Sequence, residues 1–282
     1  MSARVLSGKE LAATIRGRVS EHAGVLRAAG TTPHLAVVTA TDDPSSAYYV
    51  SSLSRAAGAV GITCEVIDLG ADAGIDTIRK KLSTLSGQDT VHGIVLSTPL
   101  PVGTTLEELA TEIDPGKDVD GANPVSLGRL VCGLPAYAPA TAEAVTTLLD
   151  HYGITVEGQH AVVVGRSNVV GKPTAHLLLN RNATVTVCHS RTRRLAAITS
   201  QADVLVVAVG KPRMITAEYL RPGAIAIDVG TNPTPDGGLV GDIDIDTGSV
   251  STRAAGVTPV PGGVGPVTTA LLLHHTVQAA AR

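Results

Sequence analysis

A glycine-containing turn offers the clearest candidate chemistry in this chain. Gly165, Arg166 and Ser167 follow an apolar run at 161–164, and Gly171 stands four residues beyond Ser167. Turns of this kind, between a strand and a helix, direct backbone N–H groups and the start of the helix toward a phosphate. The glycine spacing differs from the common dinucleotide fingerprint, so spacing alone fits a tight turn without a ligand equally well.

A second group of candidates follows the next predicted strand, at 184–188. Ser190 and Arg191 could hold a phosphate, because a guanidinium group matches phosphate oxygens with two parallel hydrogen bonds. No Asp or Glu stands at that strand end, which favours NADP over NAD. A solvated surface arginine is the alternative there. Gly210 and Thr231 follow two further predicted strands, at the edge where open α/β sheets bind ligands.

Strands that alternate with helices must position these residues. Apolar periodicity predicts helices at 8–29, 44–59, 75–85, 141–151 and 266–281, and strands at 35–39, 63–69, 91–96, 161–165, 184–188, 203–208 and 224–229. This alternation predicts an α/β protein with mainly parallel sheets covered on both faces. Residues 113–140 are rich in Asp, Gly and Pro, which is typical of a crossing between domains. We therefore expect one domain at 1–120, to which the helix 266–282 returns, and a Rossmann-like domain at 141–265.

Composition and charge narrow the class of protein. Apolar residues make up 44% of the 282 residues and charged residues 17%, the balance of a soluble globular chain. With 22 Lys and Arg against 25 Asp and Glu, the net charge of −3 gives no case for nucleic acid or an anionic membrane as a partner. The start of the chain lacks the apolar region of a signal peptide, and no apolar run reaches spanning length, so we expect a cytoplasmic location. Three widely spaced cysteines indicate neither a disulfide framework nor a metal site.

Motifs along nearly the whole chain resemble those of one enzyme family. They are the helix with Ser46 and Tyr49, the proline turn 99–101, the segment 117–121, the glycine turn 165–173, the segment 189–192 and the run 258–266. The last run has three Gly and two Pro within residues 261–266, which fixes an unusual backbone path before a helix. In this order, the motifs resemble the bifunctional methylenetetrahydrofolate dehydrogenase/cyclohydrolase family.

The resemblance implies a fold, two ligands and an oligomer. Members of this family bind 5,10-methylenetetrahydrofolate in a cleft between an N-terminal α/β domain and a Rossmann-like NADP domain. They transfer hydride from the folate to NADP and then hydrolyse the methenyl product to 10-formyltetrahydrofolate. The family forms homodimers through the nucleotide domain, so the resemblance also implies a homodimer here.

Carried over residue by residue, the resemblance assigns roles in two sites. Asp120 would accept hydrogen bonds from the pterin amide edge, Tyr49 would lie along the folate rings, and Ser97 would stand in the catalytic set. The other expected folate contacts are Pro99, Pro261, Gly262 and Gly263. The expected NADP contacts are Gly165, Arg166, Ser167, Gly171, Ser190, Arg191, Gly210 and Thr231. Ordinary packing is the alternative role for Tyr49.

One position departs from the family pattern at the centre of the expected chemistry. In the resembled helix a lysine stands four residues after the tyrosine, and here that position is Leu53. An ammonium group can relay protons or polarise water, whereas a leucine side chain cannot. Ser97 stands where the family has a glutamine, and residues 139–144 differ as well. Together these changes predict a remodelled, roomier one-carbon pocket.

Three functions are compatible with the sequence. The first is an NADP-dependent methylenetetrahydrofolate dehydrogenase with weak or absent cyclohydrolase activity, because hydride transfer needs alignment of two ligands more than a protic residue. The second is one-carbon transfer to a third small-molecule nucleophile, as in a Mannich-type condensation or cyclisation, which exclusion of water would favour. The third is a non-catalytic folate or NADP binder. We rank the dehydrogenase first because both nucleotide-binding segments are present.

Overall fold

Helices and parallel strands alternate through the computed structural model, which describes residues 2–282. The α-helices are α1 Lys9–Ala28, α2 Pro44–Ala59, α3 Ile75–Ser86, α4 Leu106–Ala110, α5 Pro124–Val131, α6 Ala140–His151, α7 Gly171–Leu179, α8 Leu195–Thr199, α9 Ser249–Arg253 and α10 Val264–Ala280. The strands are β1 Arg4–Val5, β2 His34–Thr39, β3 Thr63–Asp68, β4 Gly93–Leu96, β5 His160–Val164, β6 Thr184–Cys188, β7 Val204–Val207, β8 Ile225–Asp228, β9 Asn232–Pro233, β10 Leu239–Val240 and β11 Gly256–Val257. A 3-10 helix spans Ala217–Tyr219. Each helix and strand predicted from the sequence is present, with ends within two residues of those predicted.

The chain divides into two compact units. The N-terminal unit comprises Ala13–Ala140 and Thr269–Arg282, and the C-terminal unit comprises Thr141–Thr268 together with the first residues of the chain through Ala12. From the sequence alone, those first residues were expected to belong to the N-terminal domain. They group differently in the structure because β1 pairs in parallel with β11, with Arg4 opposite Gly256.

The sheet of the N-terminal unit has the order β3-β2-β4, with all pairs parallel. The central strand β2 places Leu35 opposite both Cys64 and Gly93. Strands β2 and β4 are almost wholly buried, whereas β3 is a largely exposed edge strand. The core residues that pack around this sheet include Ala36, Val38, Ile78, Leu82, Ile94 and Leu109.

The sheet of the C-terminal unit has the order β1-β11-β8-β7-β5-β6, again with all pairs parallel. Its core includes Val162, Val164, Leu205, Val207, Ala226 and Ile243. Strands buried on both faces have continuous apolar sequences, and β5 and β7 have them here. The predicted α/β fold with parallel sheets is confirmed, and the antiparallel pair found in residues 2–282 is the short β9–β10 hairpin.

One segment differs from the sequence prediction. Residues 113–140 were expected to form a crossing, but they contain the helix α5, Pro124–Val131. Asn123 caps this helix by accepting a hydrogen bond from the Val125 backbone N–H (Oδ1···N 2.7 Å), and Pro124 takes the first helical position. In the described part of the chain, none of the helices combines the length and apolar character needed to span a membrane.

Candidate functional site

Two predicted site residues lie on one face of α2. The helix begins at Pro44, where Asp43 accepts a hydrogen bond from the Ser46 backbone N–H (Oδ2···N 2.8 Å). Tyr49 and Leu53 are four residues apart, so their side chains are neighbours along the helix. Leu53 is fully buried, whereas Tyr49 keeps 37% of its surface exposed. Position 53 is therefore an apolar core position next to a tyrosine that reaches the surface.

Ser97 lies directly after β4, and its hydroxyl contacts the hydroxyl of Ser46 (Oγ···Oγ 2.9 Å). Both serines are buried. The Ser97 backbone N–H donates to the carbonyl O of Val38 (2.8 Å), which fixes it beside the central strand. The hydroxyl pair thus ties α2 to the end of β4, and the sequence did not reveal this pairing. Pro99 follows a cis Thr98–Pro99 peptide bond and is exposed.

A buried carboxylate shapes the turn that carries Asp120. Asp118 is 1% exposed and accepts hydrogen bonds from the backbone N–H of Ala122 (3.0 Å), the backbone N–H of Asn123 (2.8 Å) and the hydroxyl of Ser126 (2.8 Å). Burial raises the pKa of Asp118, and these hydrogen bonds act against that rise. Asp118 is therefore a structural residue that fixes the turn, and it leaves Asp120 as the carboxylate available for a ligand.

Asp120 and Tyr49 interact electrostatically. Within residues 2–282, the Asp120 side chain accepts no hydrogen bond, in contrast to Asp118. Burial raises the pKa of Asp120 to about 7, repulsion from Asp118 adds to the rise, and His275 opposes it. Burial also raises the pKa of Tyr49, and the Asp120 carboxylate raises it further. Near neutral pH the pair offers a protonated phenol, which can donate a hydrogen bond, and a carboxyl group that can accept one from an N–H.

The predicted phosphate-binding turn lies between β5 and α7. Gly165 has a φ of 134°, and a Cβ added there would lie 2.3 Å from the carbonyl O of Ala208. A Cβ added at Gly171 would lie 2.3 Å from the carbonyl O of Gly165. Both positions therefore require glycine. Ser167 accepts a hydrogen bond from the Gly171 backbone N–H (3.3 Å), and Ser167 and Arg166 are exposed.

The turn after β6 emerges beside the glycine turn, because β5 and β6 are paired to their last residues. The His189 backbone N–H donates to Thr192 Oγ1 (2.9 Å), and the Thr192 backbone N–H donates to the His189 carbonyl O (2.8 Å). The Arg191 backbone N–H donates to His189 Nδ1 (3.2 Å). These bonds order the backbone, while the side chains of Ser190 and Arg191 stay exposed, where they can contact a ligand. The structure thus brings Gly165 and Arg191 to neighbouring strand ends.

A buried carboxylate organises the segment after β7. Asp242 is fully buried and accepts hydrogen bonds from three consecutive backbone N–H groups, those of Val209 (2.7 Å), Gly210 (3.0 Å) and Lys211 (2.8 Å). It also accepts one from Asn232 Nδ2 (3.0 Å). The predicted cofactor residue Gly210 therefore owes its position to Asp242, which the sequence analysis did not identify.

A second buried carboxylate, Asp228, ends β8. It accepts hydrogen bonds from the backbone N–H groups of Gly230 (2.9 Å), Asp242 (3.0 Å) and Ile243 (2.8 Å). Burial raises the pKa of Asp228 to about 6, with repulsion from Asp242 adding and the hydrogen bonds opposing. The exposed Thr231 follows directly after this anchored segment. A single polar residue at the end of an apolar run was the sequence signal that could have identified Asp228.

The predicted folate contacts Pro261, Gly262 and Gly263 lie in the C-terminal unit, just before α10. A cis peptide bond joins Val260 to Pro261, and Pro261 is exposed. Gly262 has a φ of 105°, and its carbonyl O accepts a hydrogen bond from the Gly8 backbone N–H (2.8 Å). A Cβ added at Gly8 would lie 2.0 Å from the carbonyl O of Gly263. A Cβ added at Gly263 would lie 2.6 Å from the carbonyl O of Pro259. The positive φ thus accounts for Gly262, and close backbone packing accounts for Gly263.

His275 is a further candidate that the sequence analysis did not identify. It lies on α10, is 3% exposed, and its Nδ1 lies 2.8 Å from the carbonyl O of Val119, the residue before Asp120. The two residues are 156 positions apart, so no local sequence signal links them. Across the described residues, no group of three or more His, Cys, Asp or Glu could hold a metal ion.

The fold and these residues define a class of α/β proteins with a Rossmann-like unit suited to a dinucleotide. Family comparison narrows this class. The profile "Tetrahydrofolate dehydrogenase/cyclohydrolase, catalytic domain" matches residues 6–120, and the profile "Tetrahydrofolate dehydrogenase/cyclohydrolase, NAD(P)-binding domain" matches residues 139–282. The chain belongs to the tetrahydrofolate dehydrogenase/cyclohydrolase family.

Individual relatives are similar over nearly their full lengths. "Bifunctional protein FolD 1" of Saccharopolyspora erythraea is 62% identical, over 99% of this chain and 94% of the relative. The bifunctional FolD methylenetetrahydrofolate dehydrogenase/cyclohydrolase of Campylobacter jejuni superposes with a TM-score of 0.95 at 39% identity, covering 99% of both chains. FolD of Trypanosoma brucei, complexed with NADP and an inhibitor, gives a TM-score of 0.94 at 35% identity and covers 100% of this chain and 98% of its own. The predicted family and its NAD(P)-binding domain are therefore confirmed.

Proposed function

We propose that this chain is an NADP-dependent 5,10-methylenetetrahydrofolate dehydrogenase whose methenyltetrahydrofolate cyclohydrolase activity is weak or lost. The observation that carries the proposal is the fully buried Leu53, one helical turn from Tyr49. The resemblance of the sequence motifs implies a lysine at this position. The relative from S. erythraea is named a bifunctional protein. In contrast to a bifunctional enzyme, the chain would retain the dehydrogenase activity and have little or no cyclohydrolase activity. It would thus be a divergent member of its family.

The side chains of Ser97, Arg55 and Tyr49 do not replace the missing ammonium group. Ser97, which stands where the family has glutamine, has its hydroxyl bonded to Ser46 (2.9 Å). Arg55 is exposed and two positions beyond Leu53, so it lies on a different side of α2. The Tyr49 phenol has a raised pKa and stays protonated at neutral pH, so it is a poor base.

The two reactions make different demands on the chain. Bound NADP would take up a hydride from the methylene carbon, which leaves the methenyl cation and requires no proton from the protein. Hydrolysis of that cation adds water and releases one proton, so it depends on a group that can accept or relay a proton. Leu53 provides no such group. The first step therefore depends on positioning alone, which the remaining site residues can supply.

The side chains present fit both ligands. The carboxyl group of Asp120 accepts no hydrogen bond from residues 2–282, so it can accept hydrogen bonds from the N–H groups of a pterin amide edge. The exposed Ser167, Ser190 and Arg191 offer donors for phosphate oxygens at neighbouring strand ends. Arg191, with no acidic residue at its strand end, supports NADP as the preferred cofactor.

Substitution at position 53 tests the proposal. Hydrolysis of methenyltetrahydrofolate would be followed spectroscopically with wild type, Leu53→Lys and the double variant Leu53→Lys/Ser97→Gln, and circular dichroism would verify the fold. We expect wild type to accelerate the spontaneous rate little or not at all, and at least one lysine variant to accelerate it clearly more than wild type does. Leu53→Met is the matched control, because it keeps an apolar side chain of similar volume. Fast hydrolysis by wild type and by Leu53→Met would contradict the proposal.

The same preparation separates the alternative functions. Transfer to a third small-molecule nucleophile would consume methylenetetrahydrofolate and alkylate an added amine without forming NADPH. A non-catalytic binder would bind both ligands and form neither product. The proposal also includes the division of ligands predicted from the sequence, with folate bound by 1–120 and 266–282 and NADP by 141–265. A cytoplasmic homodimer is the expected form, and sedimentation of the purified protein measures the oligomeric state.

A further inference from the structure

His275 holds the backbone next to Asp120. Its Nδ1 lies 2.8 Å from the carbonyl O of Val119. A carbonyl oxygen only accepts hydrogen bonds, so Nδ1 carries the proton and donates it. The ring of Tyr137 packs against the imidazole with 4.9 Å between ring centroids. The imidazole is 3% exposed and is held by both contacts, so it can fix the position of the turn that presents Asp120.

His275 also opposes the negative charge of that turn. It lowers the pKa of Asp120 and of Asp118, against the burial that raises both. Other titratable or charged groups lie around this cluster. The guanidinium of Arg282 lies 4.9 Å from the Tyr137 ring centroid, and the ring centroid of His274 lies 6.3 Å from that of His275. Tyr49 interacts electrostatically with Asp120.

We propose that His275 is a positioning residue for Asp120: it fixes the adjacent backbone through Val119 and counters the negative charge of this turn, and so presents Asp120 as the acceptor for a pterin N–H. The inference rests on the proposed function, because it assigns folate binding to Asp120. It predicts that folate affinity rises with pH as Asp120 ionises. It also predicts that His275 sets the pH at which this rise occurs.

Two substitutions separate the roles of the imidazole. His275→Asn keeps an N–H donor where Nδ1 stands but removes the titratable charge, whereas His275→Leu removes both. The exposed His22 on α1 gives the control His22→Asn. One readout is the Asp120 titration in the ligand-free protein, followed by NMR of carboxyl-labelled aspartate and assigned with Asp120→Asn. The other is the affinity for 5-formyltetrahydrofolate, a stable reduced folate, measured over a range of pH.

We expect His275→Asn to raise the Asp120 titration midpoint by about one pH unit, because the interaction with His275 that lowers the pKa of Asp120 is lost. Folate binding below that midpoint should weaken by about tenfold, and binding well above it should match wild type. His275→Leu should weaken binding at every pH, and His22→Asn should change neither readout. An unchanged midpoint in His275→Asn would overturn the inference, whether or not His275→Leu folds. If wild type binds no folate at any pH, the proposed function fails, and the NMR midpoint still decides whether His275 controls Asp120.

Discussion

Removing the Asp242 carboxylate should weaken cofactor binding through the backbone segment that it holds. The carboxylate accepts hydrogen bonds from the backbone N–H groups of Val209, Gly210 and Lys211 and from Asn232 Nδ2, over distances of 2.7–3.0 Å. In Asp242→Ala the three backbone N–H groups lose this partner, and Asn232 Nδ2 keeps only its hydrogen bond to the carbonyl O of Val240 (3.3 Å). The segment that carries Gly210, at the carboxyl end of β7, then loses its anchor.

The expected cost follows from the surroundings of the four donors. Gly210 and Lys211 are exposed, so water can replace their lost bonds, whereas Val209 is half-buried and Asn232 is 6% exposed. A hydrogen bond to a charged group contributes about 1.5–3 kcal/mol, and two bonds are not replaced. Relief of the repulsion between Asp242 and Asp228 offsets part of this loss. We therefore expect the free energy of unfolding to fall by about 2–4 kcal/mol.

Calorimetry and ligand titration check this prediction. A loss of that size should lower the melting temperature of the C-terminal unit by roughly 5–15 °C. The Kd for NADP should rise by about tenfold, while the affinity for a reduced folate should change little, since Asp120 and Tyr49 lie in the other unit. The matched control is Asp246→Ala, which breaks an exposed ion pair with Arg213 and should cost less than about 1 kcal/mol. Equal effects of the two substitutions, or an unchanged Kd for NADP in Asp242→Ala, would refute the reasoning.

Three further predictions concern the two sites. The pKa of Asp120 is raised from 3.8 to about 7, so ionisation of this carboxyl group opposes folding. The stability that the fold has with Asp120 protonated is therefore complete below about pH 4 and is lost as the pH rises through 7. Asp120→Asn should thus be more stable than wild type at about pH 8, by at most about 4 kcal/mol, and equal to it at about pH 4, as measured by denaturant unfolding. Gly171→Ala should abolish NADP binding in calorimetry, because its Cβ would lie 2.3 Å from the Gly165 carbonyl O, whereas Gly24→Ala, with open space around the new Cβ, should leave binding unchanged. Arg191→Ala should lower the preference for NADP over NAD by about tenfold or more in steady-state kinetics, and unchanged preference would remove Arg191 from the 2′-phosphate site.

Elements with local signals could be predicted from the sequence. The bounds of α2 coincide with the prediction, because Asp43 caps the helix and Pro44 fits its first turn. The buried strands β2, β5 and β7 are runs of apolar residues whose burial on both faces is typical of parallel sheets. The short strand β1 gave no such signal, because two residues carry no periodicity and its partner β11 lies about 250 positions away.

The supporting residues of the sites could not be predicted for a different reason. Their roles depend on contacts between distant parts of the chain, such as Asp242 with Val209 and His275 with Val119. A charged residue is normally expected at the surface, so the sequence gives no reason to predict that Asp228 and Asp242 are buried. The candidate NADP contacts, by contrast, follow strand ends and glycine turns, which are visible in the sequence.

The products formed by wild type from methylenetetrahydrofolate and NADP test the central claim most directly. Absorbance would follow NADPH, and chromatography at successive times would separate methenyltetrahydrofolate from 10-formyltetrahydrofolate. We predict that the amount of NADPH equals the sum of methenyltetrahydrofolate and 10-formyltetrahydrofolate, and that 10-formyltetrahydrofolate appears little or no faster than it does from methenyltetrahydrofolate without the protein. Formation of 10-formyltetrahydrofolate in step with NADPH, or the absence of NADPH, would contradict the account.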